Sequence, residues 1–169
     1  VSASTSIQSH LFEEEALTRF TSTRFVRDAR ANRQGIRMNP ESGCFAANGG
    51  LKVVSEIIVP GDIQITGDGA PYVLMCESQS TGGYPRIATV LPSDLPRVAQ
   101  TPLGAHVRFK LYSLDDAVAR EARAKVERHN LANRMQPRIR DPRSMPDLGS
   151  FTLISGIISA TADAFAGDH

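Results

Sequence analysis

Apolar positions near the start of the chain fall at helical spacing. Leu11, Phe12, Ala16, Leu17 and Phe20 recur on one side, and Glu13 to Glu15 put acid in the first turn, so a short helix is predicted over 11–20. The period then changes to two. Ile36 and Met38 alternate with Arg37 and Asn39, and Val53, Val54, Ile57, Ile58 and Val59 form β-branched runs ended by Pro60-Gly61. Ile63 and Ile65 flank Gln64, and Gly67-Asp68-Gly69 predicts a turn. Tyr72 to Cys76 is a continuous apolar run suited to a strand buried on both faces, and Ile87 to Leu91 is the next such run. The clearest strand is His106 to Tyr112, where Val107, Phe109 and Leu111 alternate with His106, Arg108 and Lys110. Ser113 with Asp116 three residues on predicts a helix start. Leu114, Val118, Ala122 and Val126 give that helix a weak stripe, and Glu121 and Lys125 stand four apart as it runs to about residue 130.

Beyond it, residues 134–149 hold Pro137, Pro142 and Pro146 among four arginines and read as a linker or wrapping arm. Phe151 to Ile158 regains strand character, and residues 161–169 read as a tail. Short strands, Gly and Pro turns and only two convincing helices predict a mainly-β barrel or closed sheet with two peripheral helices, built from residues 1–133 and 150–160. A doubly wound sheet is not the expectation, because the strands between 51 and 112 lack helices long enough for parallel crossovers.

Composition narrows the picture further. A chain of 169 residues, 41% hydrophobic and 22% charged, is long enough for one core and contains no apolar run near the roughly 20 residues that span a bilayer. The formal charge of +1 gives no bulk attraction to nucleic acid or anionic lipid. Cys44 and Cys76 lack CxxC spacing, so a reducing, cytoplasmic setting is expected. The polar start from Val1 to Gln8 has no signal-peptide pattern and no Met, and reads as part of a longer polypeptide.

Several chemistries find no support in the pattern. His10, His106, His129 and His169 stand singly, which suits surface residues rather than metal ligands or a nucleophile's base, and no metal is expected. Gly67-Asp68-Gly69 leads into a strand rather than a helix, so it offers no phosphate site, and no P-loop is present. Arg120 to Arg143 carries eight basic residues against Glu121, Glu127 and Asp141 but no aromatic to stack a base, so nucleic-acid binding is not the expectation.

The informative segment is Glu77-Ser78-Gln79-Ser80-Thr81-Gly82-Gly83-Tyr84-Pro85-Arg86. It is longer than a hairpin needs and concentrates hydroxyls, an amide, a carboxylate, a guanidinium and paired glycines. Gly82 and Gly83 permit positive φ and close approach of peptide N–H groups to a ligand, with Tyr84 and Pro85 as a stiff apolar edge. Such a segment fits a planar, oxygen-rich group; it equally fits a glycine corner that bends a barrel strand.

Pro60-Gly61-Asp62-Ile63-Gln64-Ile65, then Gly69-Ala70-Pro71-Tyr72-Val73-Leu74, then Thr81-Gly82-Gly83-Tyr84-Pro85-Arg86-Ile87-Ala88-Thr89-Val90 together resemble the KipA family, also called allophanate hydrolase subunit 2 or the C subunit of 5-oxoprolinase. Asn32 to Arg37 upstream, and Asp94 to Gln100 and Val107 to Phe109 downstream, extend the likeness over about residues 7–118. The resemblance implies a cyclophilin-like closed β-barrel that forms the C-terminal half of the family unit, the N-terminal half being missing here. It also implies a KipI-like partner, and membership in a group that includes the carboxyltransferase part of urea carboxylase and a component of ATP-dependent 5-oxoprolinase. Glu77, Ser80 and Arg86 stand where that family usually has Asp, Thr and Lys. Arg86, always protonated, can clamp an anion but cannot act as a base.

Two functions follow as expectations. In the first, the chain is a component of a 5-oxoprolinase or biotin-dependent carboxyltransferase and binds a small lactam, urea or amide. Gln79, Thr81, Tyr84 and Arg86 form its catalytic set, and Gln64, Glu77, Ser80, Gly82 and Gly83 hold the substrate. No cofactor is bound by the chain itself: carboxybiotin visits on a carrier, and ATP is handled by a partner protein. In the second, the chain is a non-catalytic binding module that sequesters a KipI-like kinase inhibitor.

Overall fold

The computed structural model describes residues 1–47 and 53–135, nearly all of them in the compact unit Val1–Leu131. The expected returning strand and tail, and the 134–149 arm apart from its first two residues, lie outside the described residues.

Eight strands form one curled sheet: β1 (Ser2–Thr5), β2 (Phe25–Ala31), β3 (Gly35–Pro40), β5 (Asp62–Ile65), β6 (Pro71–Leu74), β8 (Arg86–Val90), β9 (His106–Val107) and β10 (Lys110–Tyr112). Their order across it is β10-β1-β8-β5-β6-β3-β2-β9. The remaining two, β4 (Glu56–Ile57) and β7 (Thr81–Gly82), pair only with each other as a separate ribbon. Neighbours are antiparallel except β1 and β10. The two outermost strands of the sheet, β9 and β10, are successive parts of one extended run. Residues 106–107 pair with β2 and residues 110–112 with β1, so a single segment joins both ends of the sheet. Among the described residues this segment covers the outer edge of β1 and the start of β2. The expected single strand His106–Tyr112 is therefore two short ones, and the alternation survives because Val107 and Phe109 both point inward.

Of the two expected helices, the second begins at its Ser113 signal, while the first starts three residues later than the expected 11–20, after a separate 3-10 turn at Ser9–Leu11. Helix α1 (Glu14–Ser22) has Glu14 and Glu15 in its first turn. In α3 (Leu114–Arg134) the Ser113 hydroxyl accepts from the Asp116 amide at 3.2 Å and donates to the Asp116 carboxylate at 2.8 Å. A third helix, α2 (Leu95–Gln100), is not visible in the pattern; six residues are too few to show a 3.6-residue period. Two strands escape it for similarly local reasons. The residues of β1 are mostly hydroxyl-bearing, yet Ser2 and Ala3 are buried and the Ser2 amide donates to Asp94 at 2.6 Å. In β2 a register shift between Arg27 and Ala31 breaks the alternation. The turn at Gly67–Gly69 forms as expected: Gly69 donates to the Thr66 carbonyl at 2.8 Å with φ +76°, a left-handed value that glycine adopts without strain.

The interior is filled rather than hollow. Phe20 from α1 enters a cluster with Phe25, Phe45 and Phe109, ring centroids 5.1–5.9 Å apart, and Met38, Ile63, Ile65, Val73, Ile87 and Val98 complete it. Each large side chain buried here contributes about 1.5–3 kcal/mol of transfer free energy. Among the described residues this cluster occupies the inward face of the sheet, opposite the face that bears the polar residues of β5.

Candidate functional site

Strand β5 alternates Asp62 and Gln64 with Ile63 and Ile65. The isoleucines enter the core, which turns Asp62 and Gln64 to the outer face, yet both remain buried, at 2% and 6% exposure. They are covered by the β4–β7 ribbon. Its strands pair Glu56 with Gly82 and Ile57 with Thr81, while Ile58 donates to the Ser80 carbonyl and Val53 to the Gly83 carbonyl, each at 3.1 Å. Both strands lie in excursions from the main sheet: residues 53–59 before β5, and the long segment between β6 and β8.

Between the ribbon and the outer face of β5 and β6 lies a cavity of about 270 Å³. The sheet side supplies Gln34, Gln64, Thr66, Tyr72 and Leu74; the ribbon and its flanks supply Ile58, Ser78, Gln79, Thr81, Gly82, Gly83 and Tyr84. Gln64 and Tyr72 are cross-strand partners on β5 and β6. The Tyr72 ring lies over Gly35 on β3, where even a Cβ would come within 2.0 Å of the ring, so glycine there lets the tyrosine lie flat against the sheet. None of the described lining residues carries a formal charge. The cavity therefore offers neutral donors and acceptors set in apolar surroundings, the usual composition of a small-molecule site.

Gln64 is the central group. Its amide nitrogen makes one long contact, 3.5 Å to the Tyr84 carbonyl, and among the described residues its oxygen has no hydrogen-bond partner. The carboxamide is thus only weakly engaged by the protein, and its oxygen is free to accept a hydrogen bond from whatever enters the cavity. Gly82 fits tightly against it: a Cβ at Gly82 would sit 2.6 Å from the Gln64 nitrogen and 3.1 Å from Ile58.

Six of the nine expected site residues line this cavity: Gln64, Gln79, Thr81, Gly82, Gly83 and Tyr84. The other three do not. Glu77 is exposed and pairs with Arg33 at 2.7 Å. Ser80 is exposed, and its carbonyl serves the ribbon. Arg86 is buried and directed elsewhere: its guanidinium meets Glu56 at 2.5 Å, the Ile57 carbonyl at 3.1 Å, Asp62 at 3.3 Å and Gln8 at 3.4 Å. With that many partners it has no free face for a ligand anion, and the expected clamp is corrected to an internal ion pair.

Two further expectations change. Among the described residues the positive-φ glycines are Gly43, Gly61, Gly69 and Gly104, not the 82–83 pair, of which Gly82 belongs to the extended ribbon strand. The β-branched run 53–59 holds one short strand rather than a full-length one. Strand pairing is confined to Glu56–Ile57, and Val54, Ile57 and Val59 are exposed, since the ribbon stands outside the sheet. Gln34, Ile58, Thr66, Tyr72, Leu74 and Ser78 join the lining without having been expected there. For Tyr72 and Leu74 a period-two count from core residue Val73 puts both on the face opposite the core.

Among the described residues there is no cluster of His, Cys, Asp or Glu able to hold a metal, and no helix long and apolar enough to cross a membrane. Three carboxylates are held below their ordinary values. Asp28 is lowered by hydrogen bonds from the Arg30 side chain and amide and from Asn39, and Asp68 by those from Arg37 and Thr66. At Asp94 burial works against the charge, but the Ser2 hydrogen bonds and nearby Arg97 outweigh it.

A curled, mostly-strand sheet with peripheral helices and a neutral polar cavity under an external ribbon places the chain among the carboxyltransferase-type barrels. The chain belongs to the family described as carboxyltransferase domain, subdomain A and B, whose model matches residues 1–111. Its curated relatives include the C subunit of 5-oxoprolinase from Escherichia coli (strain K12), 32% identical over 109 residues, and its namesake from Haemophilus influenzae, 40% identical over 80 residues. These alignments cover 64% and 47% of the chain but only 34% and 24% of the relatives, so the chain spans about a quarter to a third of their length. Among solved structures, urea carboxylase of Kluyveromyces lactis superposes with a TM-score of 0.65 at 20% identity, over 84% of this chain and 14% of that one. At that identity the likeness is one of fold.

Proposed function

We propose that this chain is the substrate-binding barrel of a multi-subunit hydrolase or carboxyltransferase, and that its ligand is a small neutral amide, urea or lactam held in the cavity between β5–β6 and the β4–β7 ribbon. One observation carries the proposal: Gln64 presents a buried carboxamide, without a protein partner for its oxygen among the described residues, to a cavity whose described lining is uncharged. A carboxamide is self-complementary to an amide, since its N–H donates to the ligand carbonyl while its oxygen accepts the ligand N–H. A buried polar group of this kind rejects analogues that lack the matching atoms. The Thr81 and Tyr72 hydroxyls and the Gln34 and Gln79 carboxamides surround the same space and supply further hydrogen bonds. Family membership and the 5-oxoprolinase relatives support a lactam or urea-like ligand over other amides. A ligand carboxylate, such as that of 5-oxoproline, finds no cation among the described lining residues and points outward, toward solvent or the rest of the assembly.

In this scheme ATP is used by a partner protein of KipI-like type. A biotinylated carrier, where one takes part, brings carboxybiotin as a substrate. The chain's own work is to bind, orient and shield the amide. The test uses the complete natural polypeptide with its partner proteins and measures ATP-dependent turnover of 5-oxoproline and of urea. Turnover that falls at least tenfold in Gln64→Ala, with the complex intact, is the expected result. Stable partner binding with no turnover of any lactam, urea or biotin substrate would overturn it and point to a non-catalytic binding module.

A further inference from the structure

We infer that Arg86 is a positioning residue for the cavity: it fastens the β4–β7 ribbon to the barrel, and with it the wall made by Ile58, Thr81, Gly82 and Gly83. The inference rests on the cavity being the ligand site, but its geometry stands independently. The ribbon shares no strand pairing with the eight-stranded sheet, so other contacts must fix its height above Gln64. Arg86 lies on β8 of the barrel and reaches up to both residues of β4, meeting the Glu56 carboxylate at 2.5 Å and the Ile57 carbonyl at 3.1 Å. Its other contacts face the barrel side, to Asp62 at 3.3 Å and Gln8 at 3.4 Å. Those two partners repeat the bridge. Asp62 accepts from the Val59 amide at 3.0 Å, just past the ribbon, and Gln8 donates to Glu56 at 2.9 Å. The tie between ribbon and barrel thus centres on the Arg86 guanidinium and the two side chains, Asp62 and Gln8, that hold it and reach the ribbon themselves.

An arginine is suited to this task and a lysine is not. The planar fork presents donors in several fixed directions, so one side chain spans a carboxylate above, a carbonyl beside it and a carboxylate below; an ammonium on a flexible stem makes point contacts. The buried Asp62 keeps the guanidinium anchored from beneath, while half-exposed Glu56 is the releasable end.

Glu56→Gln, made in the complete polypeptide, removes the charge at that releasable end and leaves the buried Arg86–Asp62 pair in place. Hydrogen exchange read by mass spectrometry should show the ribbon amides, Ile58 among them, exchanging about fivefold faster. That corresponds to about 1 kcal/mol at 1.4 kcal/mol per tenfold. Protection of Ile63, Ile65 and Val90 in the barrel, and the melting temperature, should stay unchanged. Arg86→Lys should raise ribbon exchange further, and in the active assembly both variants should raise KM several-fold more than they lower kcat. Unchanged ribbon exchange in Glu56→Gln, or exchange rising equally in ribbon and barrel with a fall in melting temperature, would overturn the positioning role. A ribbon-confined rise in an assembly that turns over no amide would keep that role and remove the substrate assignment instead, so the two failures are distinguishable.

Discussion

A single methyl group added at Gly82 should cost the protein its ligand more than its fold. The φ at Gly82 is not in the left-handed region, so alanine brings no backbone strain. What it brings is a Cβ 2.6 Å from the Gln64 nitrogen and 3.1–3.3 Å from two Ile58 carbons, closer than such atoms pack. The atom that must yield is the far end of a flexible side chain held by only one 3.5 Å hydrogen bond, so displacing it costs about 1 kcal/mol of rotamer strain. The loss for a ligand is larger. Gln64 turned from its position forfeits two neutral hydrogen bonds of about 0.5–1.5 kcal/mol each, and the methyl occupies cavity space, so affinity should fall between tenfold and a hundredfold. Gly83→Ala is the matched control, because its Cβ would meet only the Val53 carbonyl at 3.3 Å and the Ser55 hydroxyl at 3.4 Å, contacts that relax by a few tenths of an ångström. Calorimetric titration of the intact assembly with its amide substrate gives the affinities, and urea unfolding the stabilities. Gly82→Ala binding within twofold of the unmodified protein, or Gly83→Ala binding as poorly as Gly82→Ala, would refute the assignment of Gln64 as the recognising group.

Phe109 lies in the segment that joins both ends of the sheet and packs against Phe20 at 5.1 Å and Phe25 at 5.3 Å, so Phe109→Ala should destabilise by about 3–5 kcal/mol in urea unfolding. A loss below about 1 kcal/mol would mean that the closure does not depend on that ring. Acid should weaken the fold in a defined window. Asp28, Asp68 and Asp94 have folded-state values below the ordinary 3.8, so the stability they contribute is complete above about pH 5 and is lost as pH falls through about 4 and below. Urea midpoints flat from pH 7 to 5 and falling toward pH 3 are expected, and midpoints independent of pH down to 3 would contradict this.

The residues that sequence patterning locates best are those whose neighbours in space are also neighbours in the chain. The first turn of α3 is set by Ser113 and Asp116, the turn at Gly67–Gly69 by its own glycines, β3 and β5 by alternation within a few positions, and β6 and β8 by short apolar runs. The segment 77–86 stands out because polar residues and glycines between two apolar runs are unusual, and six of the nine residues named as a site do line one cavity.

Local pattern reports which side of an element is wet, not what comes to cover it. The alternation of Asp62 and Gln64 in β5 shows one polar face; that this face is buried depends on a ribbon made from two segments about 25 residues apart, and only the folded chain brings them together. Arg86 is the sharpest case. Its sequence neighbours fit an anion clamp, but Asp62 and Glu56, 24 and 30 residues away, reach it first and make it a fastening. The side chains thus set the period, the turns and the polar inventory of this protein. Tertiary structure decided which polar groups satisfy one another and which, like Gln64, are left facing a cavity, because pairing over long sequence separations is settled by the closure of the sheet.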